Sequence, residues 1–186
     1  MAQYFDAVFL DRDGVIIHNR ANYVRQWQDV RIYPKSLLAL RYLVQRIPES
    51  KIILITNQSA IGRGLTTRGN VDEINERLKK TIAAAGGRID GIFLCPHSPQ
   101  ENCDCRKPQP GLLYRAAHDL HISLSRSVMI GDAITDLEAG LRAGIPRLIL
   151  VKTGRGKQQL GQLNGSPLMS MITVEPNLYV AVKHLG

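Results

Sequence analysis

Two acidic side chains at the end of an apolar run are the first residues whose spacing could support chemistry. Asp11 and Asp13 follow residues 7–10, and in extended backbone both side chains would lie on one face. An isolated Asp-Gly step is common in turns, so a turn would explain this pair if it stood alone. Asp132 and Asp136 follow another apolar run, however, and converging carboxylates repel one another unless a cation lies among them. Hard oxygen ligands favour Mg²⁺, which indicates phosphoryl transfer when a basic residue and a hydroxyl are near.

All three cysteines of the chain fall within eleven residues, together with a histidine. Cys95 and His97 form one pair at i, i+2 spacing, and Cys103 and Cys105 form another. Each pair would point both ligands to one side of an extended segment, and three thiolates with one imidazole suit tetrahedral Zn²⁺. Protein ligands at all four positions predict a structural zinc that leaves no open place for substrate. We expect this zinc to hold the loop so that the two basic residues after it reach the functional site.

Short apolar runs alternate with helical patterns along most of the chain. Six runs predict buried strands, the last more weakly than the others: residues 7–10, 52–56, 92–94, 128–130, 148–151 and 171–174. Helices are predicted to begin at Pro34, at Thr66 or Thr67, at Pro110 and at Ala133. The alternation predicts an α/β fold with a doubly wound parallel sheet, formed by residues 1–186 as a single domain without a large cap. Residues 154–167, rich in Gly and Gln, are expected to form a mobile loop.

Polar residues follow four of the predicted strands, at the edge of the sheet where α/β folds bind ligands. The segments at these strand ends read, in chain order, VFLDRDGV, ITNQS, CRKPQPGL and VMIGDAITD. They resemble the four motifs of the haloacid dehalogenase superfamily of phosphatases, and the resemblance covers about residues 5 to 155. Within that superfamily, DRDG, TNQS and the cysteine loop with CRKP resemble the subgroup that contains heptose 1,7-bisphosphate phosphatases and histidinol-phosphate phosphatases. The resemblance implies a Rossmann-like fold with a zinc-stabilised loop.

The resemblance also implies roles for the acidic residues. Asp11 would be the nucleophile that forms an aspartyl-phosphate, which divides one difficult hydrolysis into two steps. Asp13 would protonate the leaving oxygen and then act as the base that activates water. Mg²⁺ would be held by the Asp11 carboxylate, the Asp13 backbone carbonyl and Asp132, and would neutralise charge as one anion attacks another.

Further roles follow from the second and third motifs. Thr56 would donate its hydroxyl to the phosphoryl oxygens, and Lys107 would place a positive charge beside the same group. Taken alone, Thr56 could lie in an ordinary turn and Lys107 on the surface, but the whole CRKP segment favours the site. Asp136 is expected to orient Lys107 or the loop rather than bind metal directly. Substrate contacts are expected from residues next to these motifs: Tyr23, Asn57, Gln58, Ser59, Arg63 and Arg106. For Arg63 an ordinary surface position is an equally good interpretation.

The net charge of +8 admits either a nucleic acid or a phosphorylated small molecule as partner. The basic residues are scattered and aromatic residues are only 5% of the chain, which argues against nucleic acid. A solubilising surface is the first interpretation of this charge, and a cleft that attracts phosphate is the second. No apolar run approaches the roughly 20 residues of a membrane helix, and the first residues do not read as a signal peptide. We therefore expect a monomeric, cytoplasmic enzyme. The rival hypotheses are a basic zinc-containing nucleic-acid-binding module and a non-catalytic interaction protein.

The sequence leaves the substrate divided between two members of the subgroup. Heptose-type members often carry a lysine after the Gly-Asp of the fourth motif, and Ala133 stands there in this chain. The zinc loop has only five residues between His97 and Cys103, which resembles the histidinol-phosphate type. Pro110 and Gly111 after the third motif resemble the heptose type. We predict a Mg²⁺-dependent phosphomonoester hydrolase with a heptose 1,7-bisphosphate as leading substrate, and histidinol phosphate or another small sugar phosphate as the alternative.

Overall fold

A parallel six-stranded sheet forms the centre of the molecule. The structure is a computed structural model, and it describes residues 5–185. The sheet has the order β3-β2-β1-β4-β5-β6, and every neighbouring pair runs parallel. Its strands are β1 (Ala7–Leu10), β2 (Lys51–Asn57), β3 (Gly91–Cys95), β4 (Ser127–Gly131), β5 (Arg147–Val151) and β6 (Ile172–Glu175). The doubly wound parallel sheet predicted from the sequence is confirmed.

Helices cover both faces of this sheet. They are α1 (Pro34–Arg46), α2 (Ser59–Gly62), α3 (Arg68–Ala84), α4 (Gly111–Leu120), α5 (Ile134–Arg142), α6 (Gly156–Gln162) and α7 (Leu178–Lys183). Side chains alternate along each strand, so Val8 and Leu10 pack in one core with α1, α3 and α7. Ala7 and Phe9 pack in the other core with α4 and α5. Both faces are therefore buried, as the near-continuous apolar strands require.

The helix starts follow from residues visible in the sequence. Pro34 occupies the first turn of α1, where a missing backbone N–H costs nothing. Thr67 caps α3, since its side chain accepts a hydrogen bond from Asn70 N at 3.1 Å. One loop and α1 connect β1 to β2, so no large cap domain is inserted there within the part of the chain that the structure describes. The cleft beyond β1 is consequently open.

The mobile loop predicted for residues 154–167 is wrong in part, because α6 lies within it. Gly156 begins this helix in a buried position, where a Cβ would come 1.8 Å from the carbonyl oxygen of Val151. Leu163 is buried in the core beside α4 and α5. Close packing therefore explains Gly154 and Gly156 in this segment, whereas Gly161 and Gly165 have open space around them. Among residues 5–185, no helix is long and apolar enough to cross a membrane.

Candidate active site

The carboxyl ends of β1, β2 and β4 meet at a cavity of about 430 Å³. Ten of the residues singled out from the sequence line it: Asp11, Asp13, Tyr23, Thr56, Asn57, Gln58, Ser59, Arg106, Lys107 and Asp136. Asp132 lies beside it, fully buried. Arg63 is exposed at the end of α2 and does not line the cavity. Asn19, Arg20, Thr135 and Arg155 also line it, and none of these four was named individually from the sequence.

Three buried carboxylates and one buried ammonium form the floor of the cavity. Oxygen atoms of Asp11, Asp132 and Asp136 lie within 4.8 Å of one another. Lys107 Nζ lies 2.8 Å from Asp11 Oδ1 and 2.6 Å from Asp136 Oδ1, and it also donates to the carbonyl oxygen of Ile55 at 2.7 Å. The contact predicted between Asp136 and Lys107 is present. All three hydrogens of the ammonium are thus engaged.

Burial dominates the electrostatics of these groups. It raises the pKa of Asp11 above its ordinary value; the charge of Lys107 opposes that shift, and the neighbouring carboxylates add to it. Burial and then Asp136 raise the pKa of Asp132 to about 6. For Lys107, burial works against the charge, but Asp11 and Asp136 outweigh it and raise its pKa. Three carboxylates facing one ammonium leave negative charge that a cation would neutralise.

The surroundings of Asp132 fit a divalent cation. Within residues 5–185, its buried Oδ1 has no hydrogen-bond donor, whereas Oδ2 accepts from Arg155 N at 2.7 Å and from Asn19 Nδ2 at 3.3 Å. Gly14 and Gly154, both at positive φ, pack against this carboxylate, and a Cβ on either would come within 2.0 or 2.2 Å of Oδ2. Oδ1 forms a long ion pair with Arg155 Nη2, at 3.7 Å, and a fixed carboxylate oxygen without a hydrogen-bond donor suits the hard-ligand preference of Mg²⁺.

Asp13 is held through one of its two oxygens. Its Oδ2 accepts from Gln58 Nε2 at 2.9 Å and from Arg12 Nε at 2.9 Å, and it lies 3.5 Å from Thr56 Oγ1. Gln58 Nε2 also donates to Thr56 Oγ1 at 2.7 Å. The sequence suggested that Gln58 contacts substrate, but the structure places its amide on Asp13 and Thr56. Burial of Gln58 fixes that arrangement.

The backbone at Lys107 is tied to β2 by a side chain. Asn57 Nδ2 donates to the carbonyl oxygen of Lys107, and Lys107 N donates to Asn57 Oδ1, both at 3.1 Å. The preceding residue, Arg106, donates from Nη1 to the carbonyl oxygen of His97 at 3.3 Å. The side chain of Lys107 is therefore aimed at the cavity by contacts on both sides of its own peptide.

The four sulfur and nitrogen ligands predicted for zinc come together at the end of β3. Cys95 Sγ lies 3.6 Å from His97 Nδ1 and 3.5 Å from Cys103 Sγ. Cys105 Sγ lies 3.3 Å from His97 Nδ1 and 3.4 Å from Cys103 Sγ. Ligands about 2.3 Å from a zinc ion at the centre of a tetrahedron would lie about 3.8 Å apart, so the cluster fits Zn²⁺ after a small expansion.

Known proteins are similar to this chain in sequence and in fold. A family model described as "HAD-hyrolase-like" matches residues 104–170. Proteins named D-glycero-beta-D-manno-heptose-1,7-bisphosphate 7-phosphatase are similar to the chain. The one from Helicobacter pylori is 41% identical over 78% of this chain and 82% of its own length. The one from Pasteurella multocida is 33% identical over 95% of this chain and 98% of its own.

A solved structure extends the similarity to three dimensions. The crystal structure of D,D-heptose 1,7-bisphosphate phosphatase from B. bronchiseptica, complexed with magnesium and phosphate, superimposes with a TM-score of 0.89. It is 33% identical and covers 97% of each chain. The parallel sheet and the acidic strand-end site define a phosphatase of the haloacid dehalogenase class. Within that class the chain belongs to the D-glycero-beta-D-manno-heptose-1,7-bisphosphate 7-phosphatase family.

Proposed function

We propose that the chain is a Mg²⁺-dependent phosphatase that removes the 7-phosphate of D-glycero-D-manno-heptose 1,7-bisphosphate. The observation that carries this proposal is the buried contact of Asp11 with Lys107, 2.8 Å long, beside the Asp132 oxygen that has no hydrogen-bond donor within residues 5–185. This arrangement gives a carboxylate nucleophile, a fixed positive charge and a place for a metal ion in one cavity. The names of the relatives, which are 33 to 41% identical, supply the substrate.

Asp11 and Asp13 carry the covalent steps in this proposal. A carboxylate oxygen of Asp11 attacks phosphorus, the bond from phosphorus to the sugar oxygen breaks, and Asp13 gives its proton to that oxygen. Asp13, now ionised, takes a proton from water, which attacks phosphorus, breaks the bond to Asp11 and releases phosphate. Asp11, the Asp13 backbone carbonyl and Asp132 would hold Mg²⁺, which supplies charge neutralisation as two anions meet.

Lys107 and Thr56 act on the phosphoryl group and on the nucleophile. The ammonium of Lys107 already donates to Asp11 Oδ1, so it orients the carboxylate and leaves its other oxygen to attack. Thr56 Oγ1 lies beside Asp13 and offers its hydroxyl hydrogen to the incoming phosphate. Asn57 acts on substrate through the backbone of Lys107, and Gln58 acts through Asp13. Arg106, Tyr23 and Ser59 line the cavity as candidate substrate contacts, whereas the placement of Arg63 gives no support to its predicted contact.

A phosphate-release assay tests the reaction and the substrate together. Both anomers of the heptose bisphosphate, histidinol phosphate and simple sugar phosphates would be compared in the presence of Mg²⁺. We expect the heptose bisphosphate to have the highest kcat/KM. A preference for histidinol phosphate would overturn the substrate but keep the phosphatase, and no turnover of any phosphomonoester would overturn both.

Replacement of the nucleophile tests the chemistry directly. We predict that Asp11→Asn abolishes phosphate release, with a loss of at least about 10³-fold in kcat, because an amide does not form the covalent intermediate. The circular dichroism spectrum should be retained. If the variant kept its activity while binding to nucleic acid fell steeply with salt, the rival hypothesis of a nucleic-acid-binding module would be favoured.

We also propose that the whole chain acts as one phosphatase domain, monomeric and in the cytoplasm. Three cysteines in one metal-ligand cluster support a reducing compartment, where thiols stay available to zinc. Size-exclusion chromatography with light scattering would test the monomer against a mass of 20.7 kDa. Cell fractionation would test the location.

A further inference from the structure

The guanidinium of Arg12 is buried beside the cavity and serves no step described so far. Arg12 is fully buried and is the largest of the fully buried side chains. Its Nε donates to Asp13 Oδ2 at 2.9 Å, and its Nη1 donates to Asn75 Oδ1 on α3, also at 2.9 Å. Its Nη2 has no hydrogen-bond partner among residues 5–185.

Stability does not explain an arginine in this place. Removing a guanidinium from water is costly, and an unpartnered Nη2 adds to that cost. An apolar side chain of similar volume would fill the same space without either penalty, and such replacements in other proteins are often neutral or stabilising. The arginine is therefore better explained by what it contacts than by the packing it provides.

What it contacts is the carboxylate that transfers protons. The contacts to the Asp13 side chain among the described residues come from Arg12, Gln58 and Thr56, and all of them reach Oδ2. Oδ1 is thereby left for the leaving oxygen and then for water. Asn75 lies 63 residues further along the chain, so the contact from Nη1 ties Arg12 to the middle of α3. Arg12 is held at one end by this helix and holds Asp13 at the other.

We propose that Arg12, anchored by Asn75, is a positioning residue that fixes Asp13 for both proton transfers. This inference rests on the proposed function. A carboxylate that has lost one of its two shortest contacts rotates more freely, and misplacement of such a group by about 1 Å can cost about 100-fold in rate. Both steps should slow while substrate binding is unchanged, because neither Arg12 nor Asn75 lines the cavity.

The test compares Arg12→Met with the unchanged chain on two classes of substrate. On an alkyl phosphate, whose leaving oxygen needs a proton, we expect kcat to fall about 100-fold with KM within about twofold. The leaving group of p-nitrophenyl phosphate needs no proton, so the aspartyl-phosphate should form at nearly the rate of the unchanged chain. Its hydrolysis, which needs Asp13 to activate water, should slow. The variant should therefore release a burst of p-nitrophenol equal to the enzyme concentration and then turn over slowly.

The melting temperature of Arg12→Met should equal or exceed that of the unchanged chain. Asn75→Ala keeps the arginine and removes only its anchor, so it should show the same burst with a loss of about tenfold in kcat. Asn70→Ala is the matched control, because Asn70 lies on the same helix in an exposed position. If Arg12→Met did not fold, the inference would be judged on Asn75→Ala, with kcat, KM and the burst of p-nitrophenol as the measurements.

Two results would overturn the inference while the proposed function stands. One is an Arg12→Met variant with the kcat of the unchanged chain. The other is an equal loss on both substrate classes without a burst, which would indicate a purely structural role. If the unchanged chain released phosphate from neither substrate, the proposed function would fail first and the inference with it.

Discussion

At the scale of the residue, Asp132 illustrates how burial prepares a carboxylate for a metal ion. Glycines at positions 14 and 154 allow the backbone to press against its Oδ2, while Oδ1 stays without a donor within residues 5–185. Burial also raises its pKa, and Asp136 adds to that shift, whereas the charges of Arg155 and Lys107 oppose it. The metal-free protein therefore loses stability as pH rises from 3.8 to about 6, since the folded state holds a proton that the unfolded chain releases.

Added Mg²⁺ should restore the stability that the folded protein loses as pH rises, and the effect should be larger at high pH than at low pH. We predict that saturating Mg²⁺ raises the melting temperature by about 5 °C at about pH 7.5, and by less than half as much at about pH 5, where protons compete for the same oxygens. Differential scanning fluorimetry would measure both shifts. Asp132→Asn should remove the Mg²⁺ effect at either pH, and an equal shift at both pH values would contradict the prediction.

At the scale of the element, the loop after β3 joins a metal cluster directly to a reacting group. Cys105 ends the cluster, and Lys107 lies two residues later with its backbone bound to Asn57. Between the end of β3 at Cys95 and Lys107, the regular structure is one short 3₁₀ turn, so little regular hydrogen bonding holds the loop in place. A zinc ion would supply that order, since it closes two separate pairs of ligands at once.

Removal of zinc should therefore lower turnover although every residue that lines the cavity is unchanged. We predict that chelation, or Cys103→Ser, lowers kcat about tenfold or more because Lys107 loses its alignment with Asp11. Mass spectrometry would measure the zinc content of each sample. Activity would be assayed on the same samples after Mg²⁺, but not Zn²⁺, has been added back. Asp104→Ala, exposed between two of the ligands, is the matched control and should behave as the unchanged chain. Full activity in zinc-free protein would refute the idea.

The elements were largely predictable from the sequence, and the contacts between distant elements were not. Apolar runs indicated the six strands, the spacing of Cys and His indicated the zinc ligands, and the resemblance of the motifs to the haloacid dehalogenase superfamily indicated Asp11 and Lys107, because those signals are local. Asn75 had no such signal, since its role depends on where α3 crosses the first motif. Arg155 was missed for a related reason: its backbone N–H reaches Asp132 from a stretch whose glycines suggested mobility.

At the scale of the whole molecule, positive charge surrounds an acidic floor. The chain carries a net charge of +8, and the rim of the cavity adds Arg20, Arg106 and Arg155 to the buried Lys107. A field of this sign attracts phosphorylated substrates over distances of about one Debye length, roughly 10 Å at moderate salt. Encounter with substrate should thus depend on ionic strength even though the buried chemistry does not.

Salt should separate these two effects in the kinetics. Between about 50 and about 500 mM NaCl at constant free Mg²⁺, we predict that kcat/KM for a sugar bisphosphate falls several-fold while kcat stays nearly constant. A monophosphate of the same sugar carries less charge and should show a shallower decline, so it is the control. Equal slopes for the two substrates would argue against steering by the rim.

The order of strands in the sheet also bears on how the enzyme is made. Strand β1, which precedes the nucleophile, lies between β2 and β4, so it remains at an edge until residues 127–131 have been synthesised. Asp132 and the backbone N–H of Arg155 come later still. A nascent chain on the ribosome therefore carries Asp11 without the groups that complete the metal site until synthesis has passed residue 155, and hydrolytic competence should not arise before that point.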